Sequence, residues 1–212
     1  MEFNKITRGA GLAANDEATI HQILDDGFLC HIAFSHGGQT LMIPTAYGRK
    51  GNALYIHGSA KNHMLNEIIN GQTLCIGVTH LDGIVLAKTL FDTSANYRSV
   101  VLFGQAELVS DHEDRRESLK IITENIIKGR WDEVSLGTPN ELKATVVVKF
   151  TIEKASAKIR GGGPKGDEDN VDAVWSGHIP LSLKALKPIQ DTKFGVEEMM
   201  TKSVEDFWIK NK

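Results

Sequence analysis

The sequence predicts a mostly β fold with peripheral helices, formed by one chain of 212 residues. Short apolar runs separated by glycine-containing turns are typical of strands in an antiparallel meander. A few amphipathic helical segments lie between these runs without regular strand–helix alternation, which argues against a doubly wound parallel sheet. The hydrophobic share of 41% is sufficient for a core without disulfides or metals. We therefore expect a single domain over 1–212, with a C-terminal extension from about 161.

The first half of the chain begins with a short helix and continues as strands. Asn15 and Asp16 precede an apolar stripe at helical spacing, and Gly27 follows it as a stop signal. Alternating and apolar runs predict strands over 28–34, 40–47 and 53–57. Gly58 and Ser59 then open a second helix, which ends before Gly71.

The second half contains further strands and the most distinct helix. Strands are predicted over 73–79, 84–88, 97–109 and 145–152, with Gly104 as a bulge or barrel corner. Asp111 is the predicted N-cap of a helix over 112–128, which Gly129 terminates. The acidic, glycine-rich segment 161–170 contains no apolar residue and predicts a mobile surface loop.

The charge balance and the cysteines restrict the class of protein. A formal net charge of −3 without a basic stripe does not favour nucleic-acid binding. No apolar run has the length of a signal peptide core or a membrane span, so we expect a cytoplasmic protein without a membrane partner. Cys30 and Cys75 each lie within an apolar run, and we interpret both as reduced core residues.

The segment from Tyr55 to His63 is the best candidate for chemistry on spacing alone. Main-chain N–H groups at a helix start, the Ser59 hydroxyl and the Lys61 ammonium together are typical of an anion site. The alternative is that Ser59 is only a helix N-cap and Lys61 only a solvated helix residue. Spacing does not decide between these two interpretations.

A second candidate opens the long strand 97–109. Alternation places Arg98 and Val100 on one side of this strand, and Tyr97 and Ser99 on the other. The Arg98 guanidinium could bind a phosphate with two hydrogen bonds. The alternatives are a surface salt bridge for Arg98 and cross-strand packing for Tyr97.

Other chemistries lack their usual motifs. The eight histidines include no HExxH motif and the cysteines no CxxC pair, so no metal site is expected. The chain contains no G-x-S-x-G nucleophile elbow, which argues against a serine hydrolase. The run from Gly161 to Lys165 lacks the spacing of a phosphate-binding P-loop.

Several stretches together resemble one known family. The sequence is similar to the pyridoxamine-phosphate-oxidase-like flavin-nucleotide-binding proteins, in the branch that includes nitroimidazole-resistance reductases. The resemblance covers roughly Arg8 to Leu181. It is carried, in chain order, by ILDDG (23–27), CH (30–31), LYIHGS (54–59), LDGIVLAK (81–88), SANYRSVV (94–101), GRWDE (129–133), ASAKIR (155–160), VWSG (174–177) and IPL (179–181).

The resemblance implies a six-stranded Greek-key split β-barrel of the FMN-binding type, whose homodimer holds FMN at the interface between subunits. It further implies a role in cofactor binding for eleven residues. The isoalloxazine would lie against Pro44 and Thr45, and the ribityl phosphate would be framed by His57, Gly58 and Ser59. The phosphate itself would be faced by Lys61 and His63, and the cofactor would also be approached by Tyr97, Arg98 and Ser99. Trp175 would cover the flavin from the partner subunit.

The chain departs from the family at two places. Relatives often carry arginine where His63 stands, so the phosphate site here would have a pH-sensitive charge. Relatives also often carry paired histidines where Asp92 and Thr93 stand. We therefore assign no catalytic role to the loop from Phe91 to Ser94.

The resemblance implies an FMN-dependent oxidoreductase that acts on a small, flat molecule stacked on the flavin. A bound flavin would carry the electron transfer, so no side chain is assigned as a catalytic acid or base. Two alternatives stay open: a non-catalytic FMN carrier or redox sensor, and a haem-binding protein with the same barrel. The sequence identifies neither the substrate nor the electron donor.

Overall fold

The protein is described by a computed structural model covering residues 10–14, 16–166, 173–191, 193 and 199–212. Within these ranges eight strands form one antiparallel sheet, and six of the strands are long. The strands are β1 (Leu29–His36), β2 (Gln39–Ala46), β3 (Gly48–Lys50), β4 (Ala53–Ser59), β5 (Leu74–Leu86), β6 (Ser94–Leu108), β7 (Thr145–Arg160) and β8 (Gly177–Pro180).

Five α-helices accompany this sheet in the described residues. Asp16 caps the first helix and Asp111 the third, each by accepting main-chain N–H bonds, as the sequence predicts. None of the described helices is long and apolar enough to cross a lipid bilayer. The helices are α1 (Glu17–Asp25), α2 (His63–Ile68), α3 (His112–Ile126), α4 (Pro139–Ala144) and α5 (Lys202–Asn211).

The strand order across the sheet is β2-β1-β5-β6-β7-β4-β3, with β8 paired to the second half of β5. The sheet curves until β2 also contacts β4, and its concave side encloses the core. Every second residue of the long strands points into this core because side chains alternate between the faces of a strand. The core includes Ile32, Leu54, Ile76, Leu102 and Phe150, all fully buried.

Two strands are longer than the sequence predicts. The predicted strands 73–79 and 84–88 are one continuous strand, β5, in which a register shift between Leu81 and Gly83 accommodates Asp82 as an extra residue. β7 continues to Arg160 because its second half pairs with β6. The bulge predicted at Gly104 is confirmed by a register shift between Phe103 and Gly104. Residues 167–170 of the predicted loop lie outside the described residues.

Two features of the helices differ from the prediction. α2 begins at His63 and is capped by Asn62, whose side chain accepts the N–H of Leu65, so Gly58 and Ser59 belong to β4 instead. α4 was not predicted, although Thr138 and Glu141 form a capping box around Pro139 that is readable in the sequence. The helix start that we invoked for an anion site therefore lies four residues further along the chain.

Candidate functional site

One outer surface of the sheet is left uncovered by the helices. α3 covers β3 so closely that a Cβ atom on Gly48 would lie 2.6 Å from the main-chain oxygen of Ile121. Strands β2, β1, β5 and β6 carry no such cover, and we call their outward-facing residues the open face. The open face consists of Leu29, His31, Ala33, Met42, Pro44, Cys75, Gly77, Thr79, Ser99, Val101 and Phe103, none of which is buried.

The open face is largely apolar. The register places Pro44, His31, Gly77 and Val101 side by side in one row across four strands. Met42 is 66% exposed and Leu29 is 52% exposed, so two large apolar side chains on this face are open to solvent. A Cβ atom added to Gly77 would meet no other atom within 4 Å. This exposed apolar surface is suited to bind an apolar ligand or another protein surface.

The two cysteines lie on opposite sides of the sheet. Cys30 is fully buried in the core, as predicted, and burial raises the pKa of its thiol to about 12. Cys75 is half-buried and belongs to the open face, because Leu74 and Ile76 take the inward positions of β5. The interpretation of Cys75 as a core residue is therefore wrong. Desolvation also raises the pKa of the Cys75 thiol, so neither cysteine is activated as a nucleophile.

The predicted ring-binding residues are divided between the two faces of β2. Pro44 lies on the open face and is exposed, in register with His31 of β1. Thr45 points the other way, in register with the buried Cys30, and is half-buried. Of this pair, the structure therefore presents only Pro44 on the open face.

The predicted phosphate-binding segment ends β4 and leads into α2. The Ser59 hydroxyl accepts a hydrogen bond from the Lys61 N–H (N···O 3.2 Å), so it shapes the turn rather than capping a helix. Gly58 is needed because a Cβ atom there would lie 2.9 Å from the Leu65 side chain at the start of α2. Lys61 is exposed, and none of the described carboxylates pairs with it. Its ammonium is therefore available to an anion from outside the chain.

The two histidines of this segment are in different environments. His57 lies at the end of β4, and although part of its ring is exposed, desolvation lowers its pKa below the ordinary value. It is therefore neutral near pH 7 and adds no charge for a phosphate. His63 is the first residue of α2, and its ring stacks edge-to-face on His36 with 4.5 Å between ring centroids.

Arg98 is engaged within the chain. Its guanidinium donates Nε to Asp82 Oδ2 and Nη2 to Asp82 Oδ1, both at 3.0 Å, and also contacts Asp26. Hydrogen bonds with Asp82 raise the already high pKa of Arg98. Because two carboxylates neutralise this cation, the salt-bridge alternative describes Arg98 better than a phosphate contact does. The predicted alternation is confirmed, since Val100 on the same side is buried.

The remaining predicted residues lie on either side of Arg98 at the start of β6 and on the C-terminal segment. Tyr97 and Ser99 point outward, and Ser99 Oγ donates to the Lys158 carbonyl (3.4 Å). Trp175 is 61% exposed, and its ring lies over Gly177, where a Cβ atom would meet it at 2.9 Å. That Trp175 covers the flavin of a partner subunit stays a prediction.

The structure separates the predicted site residues into two groups. Ser59 pairs with Thr145 at the start of β7, whereas Ser99 pairs with Lys158 near its end. Thirteen residues of extended strand correspond to a contour length of about 43 Å. Within one chain, the segment after β4 and the start of β6 therefore lie beside opposite ends of β7 and are not neighbours in the sheet.

An apolar groove of about 400 Å³ lies away from all of these residues, between α3 and the segment 131–142. Its walls are Leu119, Trp131, Val134 and Leu136, with Arg116 at the rim. Trp131 belongs to the GRWDE stretch of the family resemblance, but none of the predicted site residues lies in this region. Because none of the predicted site residues lines the groove, we place the candidate site on the open face and the segment after β4.

Comparison with known proteins defines the class to which this fold and site belong. The protein-family model described as pyridoxamine 5'-phosphate oxidase matches residues 16–159, two thirds of the chain. The chain therefore belongs to the pyridoxamine 5'-phosphate oxidase family, and the predicted split β-barrel fold is confirmed. The sheet has eight strands rather than six because β3 and β8, of three and four residues, add to the six long ones. No curated protein matches the sequence.

Two solved structures are similar over almost their entire length. The flavocytochrome Anf3 from Azotobacter vinelandii is 31% identical, with a TM-score of 0.90 and coverage of 97% of this chain and 96% of that one. The FAD and haem binding protein from Mycobacterium smegmatis is 30% identical, with a TM-score of 0.86 and coverage of 92% and 96%. A candidate 5-nitroimidazole antibiotic resistance protein from Bacteroides thetaiotaomicron, 18% identical with a TM-score of 0.60 over 69% and 86%, shares the fold.

Proposed function

We propose that this protein binds a flavin nucleotide and haem and acts as an oxidoreductase. One observation carries this proposal: two structures that match nearly the whole chain at 30% and 31% identity are named a flavocytochrome and an FAD and haem binding protein. A flavin supplies one- and two-electron transfer and haem supplies one-electron transfer, while the protein binds and orients both. The reaction itself is not defined by the fold.

The open face fits a flavin ring. Gly77 leaves room directly above β5, and Val101 on the neighbouring strand β6 provides apolar surface beside it, so the ring would lie on the β5–β6 side of the open face and leave the β1–β2 side free. The exposed Lys61 ammonium, next to the Ser59 hydroxyl, is suited to the flavin phosphate. Arg98 would contribute to the site only indirectly, because its guanidinium holds Asp82 and Asp26 in place and does not bind the phosphate.

The open face also offers a histidine for haem. His31 is the one histidine among the residues of this face, and its imidazole is exposed between Pro44 and Gly77. Neutral imidazole is the commonest protein ligand of haem iron, and the apolar neighbours suit the porphyrin plane. We therefore propose His31 as an axial ligand.

A homodimer would complete both sites. The exposed Met42 and Leu29 support a second copy packing on the open face, because apolar surface of this kind is stabilised by exclusion of water. The separation of Ser59 and Ser99 along β7 supports a cofactor site built from two subunits, with the phosphate segment of one and β6 of the other. In such a dimer Trp175 would reach the cofactor of the partner.

A second candidate is a protein that binds FMN alone, either as an oxidoreductase or as a carrier or redox sensor. The match to the pyridoxamine 5'-phosphate oxidase family model favours it, since the family resemblance implies FMN. Anaerobic titration with NADH or NADPH, followed by addition of electron acceptors, separates an enzyme from a carrier. A carrier would show no turnover with any acceptor.

The absorption spectrum of the purified, tag-free protein tests the proposal. We expect a flavin spectrum together with a Soret band, and mass analysis of the extracted cofactor distinguishes FAD from FMN. His31→Ala should abolish the Soret band and leave the flavin in place, whereas His112→Ala, at an exposed position on α3, should change neither. A colourless protein that binds neither added flavin nor haemin would refute the proposal.

A further inference from the structure

Three metal-binding side chains converge beside the segment after β4, and two of them, His36 and Glu67, belong to none of the proposed cofactor sites. His36 ends β1, while His63 and Glu67 lie one turn apart on α2. Their ligand atoms all lie within 4.8 Å of one another, and His36 Nδ1 is 3.3 Å from Glu67 Oε2. Among the described residues no other group of three histidine, cysteine, aspartate or glutamate side chains is this close.

We propose that His36, His63 and Glu67 bind a divalent transition-metal ion of the Zn²⁺ class. Two imidazoles and one carboxylate form a common ligand set for zinc when a further position is taken by water. A tetrahedral ion with bonds of about 2.1 Å requires ligand atoms about 3.4 Å apart. The His36–Glu67 pair already has this separation, and small side-chain rotations bring in the second imidazole.

The backbone that carries these ligands is held on both sides. Gly37 and Gly38, with φ of 57° and 78°, form a two-residue hairpin turn that fixes His36 at the last pair of the β1–β2 ladder. Spacing of i, i+4 puts His63 and Glu67 on the same face of α2. The buried Leu65 anchors that helix to the core. Neither β1 nor α2 therefore has to form or move when an ion binds.

One glutamine ties the two elements together directly beside the ligands. Gln72 accepts the N–H of Ser35 (2.8 Å) and donates to the Ser35 carbonyl (3.3 Å) and to the Glu67 carbonyl (3.1 Å). The Gln72 side chain thus joins Ser35, the neighbour of His36, to the ligand residue Glu67. A simple surface ion pair between His36 and Glu67 would require neither this connection nor the second imidazole.

The ligands are also open to solvent, which an exchangeable ion requires. The side chains of His36 and Glu67 are 45% and 25% exposed. A bound ion would cross-link the β1–β2 hairpin to α2 and would keep a coordination position for water. The proposal is independent of flavin and haem, and its test avoids His63 because this residue is also predicted near the flavin phosphate.

Isothermal titration of the tag-free, chelator-treated protein with Zn²⁺ tests the site. We expect one ion per chain, at least tenfold weaker binding in His36→Asn and in Glu67→Gln, and a Zn²⁺-dependent rise in Tm that both variants lose. The matched control is His112→Asn with Glu113→Gln, an exposed histidine–glutamate pair at 3.2 Å without a second imidazole, which should retain wild-type binding.

Two results would overturn the proposal. One is a wild-type affinity no higher than that of the double variant His36→Asn/Glu67→Gln. The other is an equal loss of binding in the His112 control. Unfolding midpoints measured in EDTA check that the variants are folded, and if His36→Asn is destabilised there, Glu67→Gln alone decides.

Discussion

The Arg98 guanidinium and the Asp82 carboxylate form a two-point ion pair, with both N···O distances at 3.0 Å, across neighbouring strands β6 and β5. Asp82 is the extra residue in the β5 register, so the bulge directs its carboxylate toward Arg98. Asp26, which follows α1, contacts the same guanidinium. This arrangement joins the first helix to the middle of the sheet.

Arg98→Lys should lower the free energy of unfolding by about 1–2 kcal/mol, because lysine cannot donate two parallel hydrogen bonds to one carboxylate. Urea denaturation measures the change. Flavin affinity should stay within about twofold of the wild-type value if Arg98 serves structure, as its partners indicate. A selective loss of flavin without a loss of stability would instead restore Arg98 to the phosphate site.

Lys61→Ala should weaken flavin binding by about tenfold, which corresponds to about 1.4 kcal/mol. The reason is the loss of the one exposed ammonium of the segment after β4 that has no carboxylate partner among the described residues. Fluorescence titration with FMN and FAD measures the change, and the loss should diminish at high salt. Lys120→Ala, on the exposed side of α3, is the control and should bind as the wild type does.

Met42→Asp should convert the proposed dimer to a monomer and release the flavin, because it places a charge within the exposed apolar surface of the open face. Sedimentation analysis and the absorption spectrum together measure both effects. Ile209→Asp is the control, since this residue of α5 is also half exposed but lies outside the sheet. An unaltered dimer in Met42→Asp would place the interface elsewhere.

Two glycines on the sheet should respond in opposite ways to alanine. A Cβ atom on Gly104 would lie 1.9 Å from the Thr151 carbonyl oxygen, so Gly104→Ala should cost about 1–3 kcal/mol of stability. Gly77→Ala meets no atom and should leave stability unchanged or raise it by about 0.5 kcal/mol. Its methyl group should nevertheless weaken flavin binding if the ring lies on the open face. Thermal unfolding and flavin titration separate the two effects.

Acid should release α5 from the body of the protein. Hydrogen bonds from the Ser203 hydroxyl and N–H lower the pKa of Glu133 to about 2, from an ordinary value near 4.5. A lowered folded-state pKa contributes stability above pH 4.5 that is lost as the pH falls toward 2. The protection factors of the α5 amides, which compare the measured exchange with the intrinsic exchange at each pH, should therefore fall across this range. Ser203→Ala should show fast exchange of α5 already at neutral pH.

The local features of this fold are readable in the sequence, whereas the contacts between distant segments are not. Asp16 and Asp111 identify two helix starts, and Gly104 identifies the bulge, because each acts through its own neighbours in the chain. Arg98 was open to two interpretations because its partners are 16 and 72 residues away. Sequence spacing carries no information on such partners.

In the candidate site too, local features were predictable from the sequence and contacts between distant segments were not. Alternation correctly placed Tyr97 and Ser99 on the side of β6 opposite Arg98 and Val100, but the open face as a whole depends on strand order and register. The cluster of His36 and Glu67 was not foreseen, since 31 residues separate them and no motif contains both. The continuity of β5 was also missed, because Asp82 and Gly83 resemble a turn in the sequence.

The pairing of β8 with β5 affects how the protein can be shortened. The family match ends at residue 159, yet Gly177–Pro180 cover the edge of Gly83, Ile84, Val85 and Leu86. A fragment cut at the family boundary would expose unpaired main-chain groups along an apolar strand, which is a template for intermolecular β-pairing. Expression trials of such a fragment should therefore yield aggregates, whereas a fragment that extends past Leu181 keeps this edge protected.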